Sequence, residues 1–348
     1  MPSRFIQTFD DPDAPCFVIG EIGVNHNGSL DLAHQLIDIA VEAGADAVKF
    51  QTFTAEALVT RTVRKANYQS RNHQIDESQL SMLKRLELSE ADLRACKNHC
   101  DAKDIVFLST PFDEAAADLL ESVGVQGYKV SSGDLTNLPL LSHMAAKGLP
   151  MIISTGMATM AEVEDAVRAV EAAGDPSLAI LHCVSDYPAA PEEANLAAID
   201  TISTAFGKPT GWSDHTLGDA VCLAAVARGA RIIEKHYTLD TAMEGPDHKA
   251  SLDPDEFRDL LRKIRIVQTS IGDGVKRPQP SETETAQVAR RSIVVARDIK
   301  AGETIARTDL VMKRPGTGLA PKHLDWVVGR TARSDLPSDT LVSLDQLG

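Results

Sequence analysis

Between about residues 16 and 270, short runs rich in β-branched and aromatic residues alternate with longer segments of helical period. This alternation is typical of βα units, in which parallel strands are joined by helical crossovers. We predict eight strands. They are CFVIGEIGV from Cys16, AVKFQTF from Ala47, DIVFLST from Asp104, GYKVSS from Gly127, PMIISTG from Pro150, LAILHCV from Leu178, TGWSDHT from Thr210 and RIIEKHYT from Arg231.

The helical segments carry their own boundary signals. Ser29 is placed to cap a helix that Gly44 ends, with apolar residues on one face between them. Further helices are predicted over Asp113–Val123, Met160–Ala173, Leu217–Arg228 and Pro254–Ile271.

Eight strands with their crossovers in about 255 residues match the size of a (β/α)₈ TIM barrel. A doubly wound open sheet gives the same local pattern. Polar and ionisable residues recur at the carboxyl end of nearly every predicted strand, as expected when all strands point at one shared mouth, and this favours the barrel.

The chain is long enough for a second, smaller domain. KRPQPSETETAQ, after Gly274, reads as an exposed linker because it is rich in Pro, Glu and Thr. We therefore predict a barrel domain over residues 1–275, a linker over 276–288 and a small β-rich domain over 289–348.

Net charge and cysteine content exclude some classes of protein. A formal charge of −15 argues against binding to nucleic acid or to anionic membranes, which attract clustered cations. The amino-terminal stretch lacks the apolar run of a signal peptide, so we expect a cytoplasmic protein. Five scattered cysteines fit reduced thiols, and the Cys96 and Cys100 pair favours helix packing over metal binding.

Two lysines lie inside predicted strands, Lys49 in AVKFQTF and Lys129 in YKVSS. An ammonium group in such a position needs an anion or a carboxylate, because an unpaired buried charge is costly. A structural ion pair is one explanation. Hydroxyls at neighbouring strand ends favour a phosphate site instead, and they belong to Thr110, Ser132 and Ser154.

Two histidines end consecutive strands, His215 in WSDHT and His236 in EKHYT. Imidazoles at neighbouring strand ends can meet at one metal ion and leave coordination positions open, and Glu234 lies beside them. A packing role is the alternative. His26 in GVNHNGS has either a structural or a functional role, and Asp247 and His248 in EGPDHKAS either hold substrate or form a turn. His34, His73, His99, His143 and His323 are predicted surface or packing residues.

Several common catalytic motifs are absent. The sequence contains no GxxxxGK[ST] phosphate loop, no strand-coupled GxGxxG and no HExxH. An anion site in this chain would therefore be built from side chains.

The strand-end motifs together resemble one known family. EIGVNHNGS, VKFQTF, FLSTPFD, YKVSSGD, STGMAT, LHCVSDYP, SDHT, EKHYT and GPDHKAS are similar, in this order, to successive motifs of the sialic acid synthases. SIVVARDIKAGE and KRPGTG resemble that family's antifreeze-like (SAF) domain, so the resemblance runs from about Phe17 to Leu347.

The resemblance implies an enzyme that condenses phosphoenolpyruvate with N-acetylmannosamine and water to give N-acetylneuraminate, a nine-carbon 2-keto acid, and phosphate. The alternative within the family is N,N'-diacetyllegionaminate or pseudaminate synthesis from a 2,4-diacetamido-trideoxy hexose. The resemblance also implies a divalent metal, Mn²⁺ before Mg²⁺ or Co²⁺. It further implies a domain-swapped homodimer in which the SAF domain of one subunit closes the barrel of the other.

Residue roles follow by position in the motifs. The implied phosphoenolpyruvate contacts are Lys49, Thr110, Lys129, Ser132, Ser154 and Ser213. The implied metal ligands are His215 and His236, and the acid/base candidates are Glu21 and Glu234. The implied sugar contacts are Glu21, Gln51, Asp134, Tyr187, Asp247 and Arg314.

Two departures from the family pattern bear on the sugar. Asp134 replaces the Glu that commonly follows YKVSSG, and Ser185 stands where some members carry Asn. KANYQSRNHQIDESQ, residues 65–79, resembles members that use either N-acetylmannosamine or the legionaminic acid precursor. Two rivals remain: a barrel condensing phosphoenolpyruvate with a sugar phosphate, which would need a second basic cluster, and a non-catalytic carbohydrate-binding or ice-binding protein.

Overall fold

A computed structural model describes residues 4–60 and 78–348 of the chain. His73 and most of the segment 65–79 therefore lie outside the described residues. The chain divides into two compact units, Met1–Gly272 and Asp273–Gly348. Each unit is described by itself.

The first unit contains all eight predicted strands. They are β1 (Phe17–Gly23), β2 (Ala47–Thr52), β3 (Val106–Pro111), β4 (Tyr128–Val130), β5 (Met151–Ser154), β6 (Leu178–Cys183), β7 (Thr210–Asp214) and β8 (Ile232–His236). They form one parallel sheet in the order β3-β2-β1-β8-β7-β6-β5-β4. β3 and β4 lie side by side where this order begins and ends.

Two contacts together decide between the two predicted architectures, namely the pairing of β1 with β8 and the contact between β3 and β4 at the ends of the order. β1 lies between β2 and β8, with Glu21 opposite Lys49 on one side and opposite His236 on the other. An open doubly wound sheet keeps its strands in a row with two free edges, whereas a barrel returns its last strand to its first. The (β/α)₈ TIM barrel is thus confirmed, and the open-sheet alternative is wrong.

The helices of the first unit separate the strands as predicted. They are α1 (Arg4–Asp10), α2 (Leu30–Ala43), α3 (Ala55–Leu58), α4 (Gln79–Leu86), α5 (Glu90–Ala102), α6 (Glu114–Val123), α7 (Leu138–Ala145), α8 (Met160–Ala173), α9 (Ala197–Phe206), α10 (Ala220–Ala227) and α11 (Pro254–Ile271). The Ser29 side chain accepts the backbone N–H of Leu32, and Gly44 ends α2 at φ 81°, so both boundary signals are confirmed.

Inside the barrel, the amino-terminal halves of the strands carry an apolar layer that we call the floor. Side chains from six strands meet there with a phenylalanine from α1, which places them on the inner face of the sheet. The floor consists of Phe5, Phe17, Ile19, Ala47, Leu108, Ile152, Ala179, Leu181 and Ile232. Further along the same strands, the inward positions become polar and form the site described below.

The second unit is small and has its own apolar core. β9 (Ser292–Val295) pairs antiparallel with β10 (Leu310–Lys313), beside the short helices α12 (Thr283–Ala289) and α13 (Leu324–Val327). The core residues are Ile293, Val295, Ile299, Ile305, Leu310, Val327, Ala332, Leu336, Val342 and Leu347. The predicted linker is mostly exposed, but α12 gives it helical structure that its composition did not indicate.

Within the described ranges 4–60 and 78–348, no helix combines the length and the apolar character needed to cross a bilayer.

Candidate active site

A cavity of about 590 Å³ opens at the carboxyl ends of the barrel strands, above the floor. All but three of the predicted site residues line it. They are Glu21, Lys49, Gln51, Thr110, Lys129, Ser132, Ser154, Tyr187, Ser213, His215, Glu234 and His236. The period-2 alternation of strands explains this convergence, because the inward positions of neighbouring parallel strands end at one mouth.

The first buried lysine lies between β1 and β3. Lys49 Nζ is 2.8 Å from Glu21 Oε2 and donates a hydrogen bond of 3.1 Å to Thr110 Oγ1. Gln51, two residues further along β2, donates to Glu21 Oε1 at 3.4 Å. Lys49 therefore has both a carboxylate partner and a hydroxyl partner.

The second buried lysine lies across the cavity wall on β4. Lys129 Nζ donates to Ser154 Oγ at 2.7 Å and to Val130 O at 3.1 Å. Its charge partner is Glu234 at 3.6 Å, which also accepts a hydrogen bond of 3.0 Å from Ser213 Oγ. Each lysine thus has a carboxylate partner, and the neighbouring hydroxyls that favour a phosphate site are present as well.

The two carboxyl groups differ in proton affinity although both are buried. Burial raises the pKa of Glu21 to about 7, against the opposing effect of the Lys49 ammonium. Burial also acts on Glu234, but the ammonium groups of Lys129 and Lys49 hold its pKa below its ordinary value. One carboxyl group is therefore set to hold a proton near neutral pH and the other to stay ionised.

The lysines respond to the same neighbours. Burial alone would lower the pKa of Lys49, but the carboxylates of Glu21 and Glu234 raise it. Burial lowers the pKa of Lys129, because the opposing effect of Glu234 is weaker there and Lys49 adds like-charge repulsion. Uptake of a proton by Glu21 leaves the four groups with net positive charge in a low-dielectric cavity, which favours an anionic ligand.

His215 and His236 stand side by side at the ends of β7 and β8, with ring centroids 5.7 Å apart. His215 Nδ1 is 2.7 Å from the carbonyl oxygen of Val184, which can only accept, so Nδ1 carries a proton and Nε2 is the atom that a metal could bind in the neutral ring. The Tyr187 ring packs on His215 at 3.9 Å between centroids and meets His236 edge-on at 5.9 Å.

These imidazoles fit a divalent cation. Burial, followed by the effect of His215, lowers the pKa of His236 well below its ordinary value, so this ring is a neutral donor. His236 Nδ1 is buried and, within the described part of the chain, has no hydrogen-bond partner. No third His, Cys, Asp or Glu joins the two in a ligand cluster within residues 4–60 and 78–348, so other coordination positions would fall to water or substrate.

Gly23 makes room for this arrangement. Its φ of 55° lies in the left-handed region, and a Cβ atom there would lie 3.1 Å from Glu21 Oε1 and 3.2 Å from His236 Cε1. A larger residue at this position would therefore press on both groups.

Asp247 lies on a smaller adjoining cavity, which shares Gln51, Tyr187 and His236 with the main one. Burial raises the pKa of Asp247 to about 6, against the opposing effects of His215 and Lys49. Two asparagines hold the loops after β1 and β8 together here. Asn25 donates to Tyr237 O at 2.8 Å, and Asn27 donates to Glu244 O at 3.1 Å.

Asp134 is not part of the lining of the main cavity, although its neighbours Ser131, Ser132 and Gly133 are. Ser131 Oγ donates to Asp134 Oδ2 at 2.6 Å, so the carboxylate is held by its own turn, and its contact with the sugar stays a prediction. Arg314 is exposed in the second unit.

The other histidines and cysteines singled out in the sequence make local packing or hydrogen-bond contacts. His26 Nδ1 accepts the Gly28 N–H at 3.0 Å, so it orients its turn. His34 and His99 stack at 4.4 Å away from the cavity, as predicted for packing residues. Cys96 and Cys100 are buried free thiols on α5, which agrees with a packing role.

Sequence reasoning missed several lining residues. Cys183 Sγ lies 3.7 Å from His215 Nδ1, a position that the strand-end motif HCVSDYP could have indicated. An apolar side of the cavity was also missed because it comes from loops and short helices. It consists of Leu58, Val59, Leu83, Phe112 and Met157.

Comparison with known proteins identifies the family of the chain. A sequence model of the NeuB family matches residues 36–276, and a model of the SAF domain matches residues 290–348. The N,N'-diacetyllegionaminic acid synthase of Legionella pneumophila is 46% identical over 93% of this chain and 92% of its own length. The protein of the same name from Campylobacter jejuni is 43% identical over 93% of this chain and 98% of its own length.

A solved structure gives the same result. N-acetylneuraminic acid (sialic acid) synthetase from Leptospira borgpetersenii, in complex with citrate, matches with a TM-score of 0.71 and 36% identity, over 78% of this chain and 90% of that chain. The predicted sialic acid synthase resemblance and the predicted SAF domain are both confirmed. The chain is an enzyme of the NeuB family with a SAF domain at its carboxyl-terminal end.

Proposed function

We propose that the chain condenses phosphoenolpyruvate with a 2,4-diacetamido-2,4,6-trideoxy hexose and water, giving N,N'-diacetyllegionaminic acid and phosphate. The observation that carries the reaction is the meeting of two buried ammonium groups and two imidazoles around one cavity. The relatives at 46% and 43% identity support this sugar over N-acetylmannosamine, which the sequence motifs alone had favoured.

The lining of the cavity also supports a deoxy sugar. One side is apolar, with Leu83 only 8% exposed and Phe112 packed against the same cluster. An apolar side suits the methyl groups of a 6-deoxy, diacetamido sugar, whereas a 6-hydroxyl would need a hydrogen-bond partner there. N-acetylmannosamine, giving N-acetylneuraminate, is the second candidate because the Leptospira borgpetersenii enzyme carries that name.

Phosphoenolpyruvate would lie against the two lysines. Lys49 with Thr110, and Lys129 with Ser154, offer ammonium and hydroxyl donors to the phosphate and carboxylate oxygens. Ser132 and Ser213, on the cavity wall, add further donors. In the free enzyme the two lysines contact Glu21 and Glu234. When phosphoenolpyruvate binds, its anionic groups would replace some of these contacts.

His215 and His236 would hold the divalent metal, with Mn²⁺ as the first choice. When bound there, the cation supplies Lewis-acid polarisation of the aldehyde carbonyl of the open-chain sugar. By their place beside the lysines, His215 and His236 would bring the two substrates together in one cavity, which makes the reaction effectively unimolecular.

The two carboxyl groups take opposite proton-transfer roles. The enol carbon of phosphoenolpyruvate bonds to the aldehyde carbon, and Glu21 gives its proton to the aldehyde oxygen. Water then adds to the carbon that carries the phosphate, and ionised Glu234 accepts a proton from this water. Cleavage of the carbon–oxygen bond then releases phosphate, which takes the proton held by Glu234, while the hydroxyl left on that carbon becomes the keto group by giving its proton back to Glu21. Lys129 neutralises the departing charge.

A direct test measures product and phosphate together. Purified protein is incubated with phosphoenolpyruvate, Mn²⁺ and each candidate sugar, and the keto acid is identified by mass spectrometry. We expect the diacetamido-trideoxy hexose to give the highest kcat/KM. Preference for N-acetylmannosamine would overturn the choice of sugar, preference for a sugar phosphate would support a different condensing barrel, and no phosphate release with any sugar would support a binding protein.

We also propose that the enzyme works as a homodimer in which Arg314 of one subunit completes the sugar site of the other. The resemblance to sialic acid synthases and the exposure of Arg314 support this arrangement. Co-expression of His215→Ala and Arg314→Ala chains tests it. Each variant alone should be nearly inactive, and a mixed dimer should regain activity because one intact barrel meets one intact arginine. Failure to regain activity in isolated mixed dimers would refute the exchange.

A further inference from the structure

An ion pair lies on the outer face of β7 and β8, next to the two histidines in sequence. Asp214 and Lys235 stand opposite each other in the ladder, with Nζ 2.6 Å from Oδ2. Lys235 is fully buried and Asp214 is 1% exposed. Because strand residues alternate faces, this pair points away from the cavity while His215 and His236 point into it.

The pair also fixes the backbone that follows His215. Asp214 Oδ1 accepts the Thr216 N–H at 3.0 Å and the Thr216 hydroxyl at 2.9 Å, while Lys235 Nζ donates to Thr216 O. Cys222 Sγ, from α10, donates to Asp214 Oδ2 at 3.1 Å. His215 is therefore flanked by Asp214 and Thr216, which the same network holds.

Along β7 and β8, the Asp214–Lys235 pair lies between two pairs of residues that point into the cavity. Ser213 lies opposite Glu234 one step earlier, joined by a hydrogen bond of 3.0 Å, and the imidazoles follow one step later. A shift of one strand relative to the other would thus change the spacing of the imidazoles and break the outer pair together.

A contribution to folding stability does not by itself explain why a buried ion pair occupies this position. Removing two charges from water costs several kcal/mol per ion, and apolar pairs of similar volume are often as stable or more stable. The Asp214 carboxylate nevertheless has four donors directed at it, from Lys235, Thr216 (backbone and hydroxyl) and Cys222. What this network supplies is a fixed geometry.

We propose that Asp214 and Lys235 are positioning residues that set the separation of His215 and His236 for a divalent cation. The inference rests on the proposed function in one respect, namely that the two imidazoles bind the metal. The pair touches neither substrate nor metal, and it acts through the strand register and through Thr216.

The test replaces both charges at once with groups of similar shape, as Asp214→Asn with Lys235→Met. Manganese affinity of the full-length protein is measured by titration with EPR detection of free Mn²⁺, together with kcat, KM and the melting temperature. We expect a melting temperature near that of the wild type, a dissociation constant for Mn²⁺ raised roughly 10- to 100-fold, a matching fall in kcat, and an unchanged KM for phosphoenolpyruvate. Wild-type manganese affinity in the folded double variant would overturn the proposal.

A milder variant covers the case in which the double variant does not fold. Thr216→Val keeps both charges and the side-chain shape but removes the hydroxyl that binds Asp214. We expect a several-fold weaker affinity for Mn²⁺ with little change in melting temperature. Unchanged affinity in Thr216→Val would also count against the proposal.

Two controls separate this proposal from the proposed function. Asp46 and Arg265 form another buried-carboxylate pair, 3.0 Å apart, at the start of β2, away from the cavity. Asp46→Asn with Arg265→Met should leave manganese affinity unchanged, and a loss there would mean that any disturbed ion pair loosens the site. His236→Ala should abolish binding in the intact network. If the wild type itself binds no Mn²⁺, the proposed function fails first, whereas normal binding in the double variant refutes only the positioning role.

Discussion

The two ends of the barrel interior are equally buried and chemically opposite. On β1, Ile19 belongs to the floor, and the next inward residue, Glu21, belongs to the cavity. On β5, Ile152 and Ser154 show the same change over two residues. The interior of the barrel thus changes from an apolar layer to a charged layer within about 7 Å along a strand.

Along the barrel axis, the residues that stabilise the fold are therefore separate from those that could carry out the reaction. Burial of the floor removes apolar surface from water and stabilises the fold, at roughly 25 cal/mol per Å². The charged and polar side chains that line the main cavity form a second layer, which we call the rim. Burial of the rim desolvates charged groups, which costs free energy but shifts the pKa values of Glu21 and Glu234 apart and strengthens the interactions with an anion. Substitutions at the floor should therefore act on unfolding, and those at the rim on turnover.

The largest expected effect is at the rim. We expect His215→Ala to lose metal binding and to lower kcat/KM roughly 10³-fold, or about 4 kcal/mol, because half of the imidazole pair is removed. Metal content and turnover are measured on the same samples. His34→Ala, which disturbs only a stacked pair away from the cavity, should behave as the wild type. Full wild-type turnover in metal-free buffer would contradict the metal role.

The next effect is at the floor. Ile152→Ala should lower the free energy of unfolding by about 3 kcal/mol, because it leaves a cavity among fully buried neighbours. Urea denaturation measures this change, and KM for both substrates should stay constant. Ile266→Ala, at a side chain that is 51% exposed, is the control and should be nearly neutral. A large change in KM for Ile152→Ala would mean that the two layers are coupled.

The loop that carries Asp247 should make the barrel sensitive to acid. Burial lowers the pKa of His248 to about 4, and this ring binds Thr238 Oγ1 at 2.6 Å. Since the folded state binds fewer protons than the unfolded state between pH 4 and 6.5, the contribution is complete above about pH 6.5 and is lost as the pH falls towards 4.

The wild type should therefore lose about 2 kcal/mol of unfolding free energy between pH 7 and pH 5 through this residue. Urea denaturation at both values compares it with His248→Gln, in which this part of the loss should disappear. His143→Gln, at a partly exposed histidine on α7, should keep the wild-type slope. Equal slopes in wild type and His248→Gln would show that the buried ring does not govern acid sensitivity.

The smallest expected effect concerns a neutral side chain among the charged residues of the rim. Ser154→Ala removes the hydroxyl that Lys129 binds at 2.7 Å without changing any charge. We expect KM for phosphoenolpyruvate to rise about tenfold, the value of one hydrogen bond to a charged group, with little change in stability. Steady-state kinetics measure this, with Ser122→Ala on the exposed face of α6 as control. A purely structural serine would lower the melting temperature and leave KM unchanged.

Local sequence signals predicted most of the barrel. The helices Met160–Ala173 and Pro254–Ile271 have their predicted bounds, because Thr159 and Asp253 cap them through side chains read directly from the sequence. Strand alternation likewise placed Lys49, Lys129 and the two histidines in one cavity. Such features depend on neighbours in sequence, or on the shared direction of parallel strands.

Other features depend on contacts that no local pattern encodes. Asp134 accepts a hydrogen bond from Ser131 because a three-residue turn brings the two together, and this partner could not be read from YKVSSGD. The apolar side of the cavity combines Leu58, Phe112 and Met157 from separate loops and helices. The outward pairing of Asp214 with Lys235 follows from alternation and register together, and register is set only when the sheet closes.

Closure between β1 and β8 has a consequence for synthesis of the chain. β1 lacks one of its two neighbours until residues 232–236 have left the ribosome, and Glu21 waits equally long to face His236. An exposed strand edge favours wrong pairing, so the interval before β8 emerges is when a growing chain most needs protection by chaperones. A pause in translation before residues 232–236 have emerged would prolong the exposure.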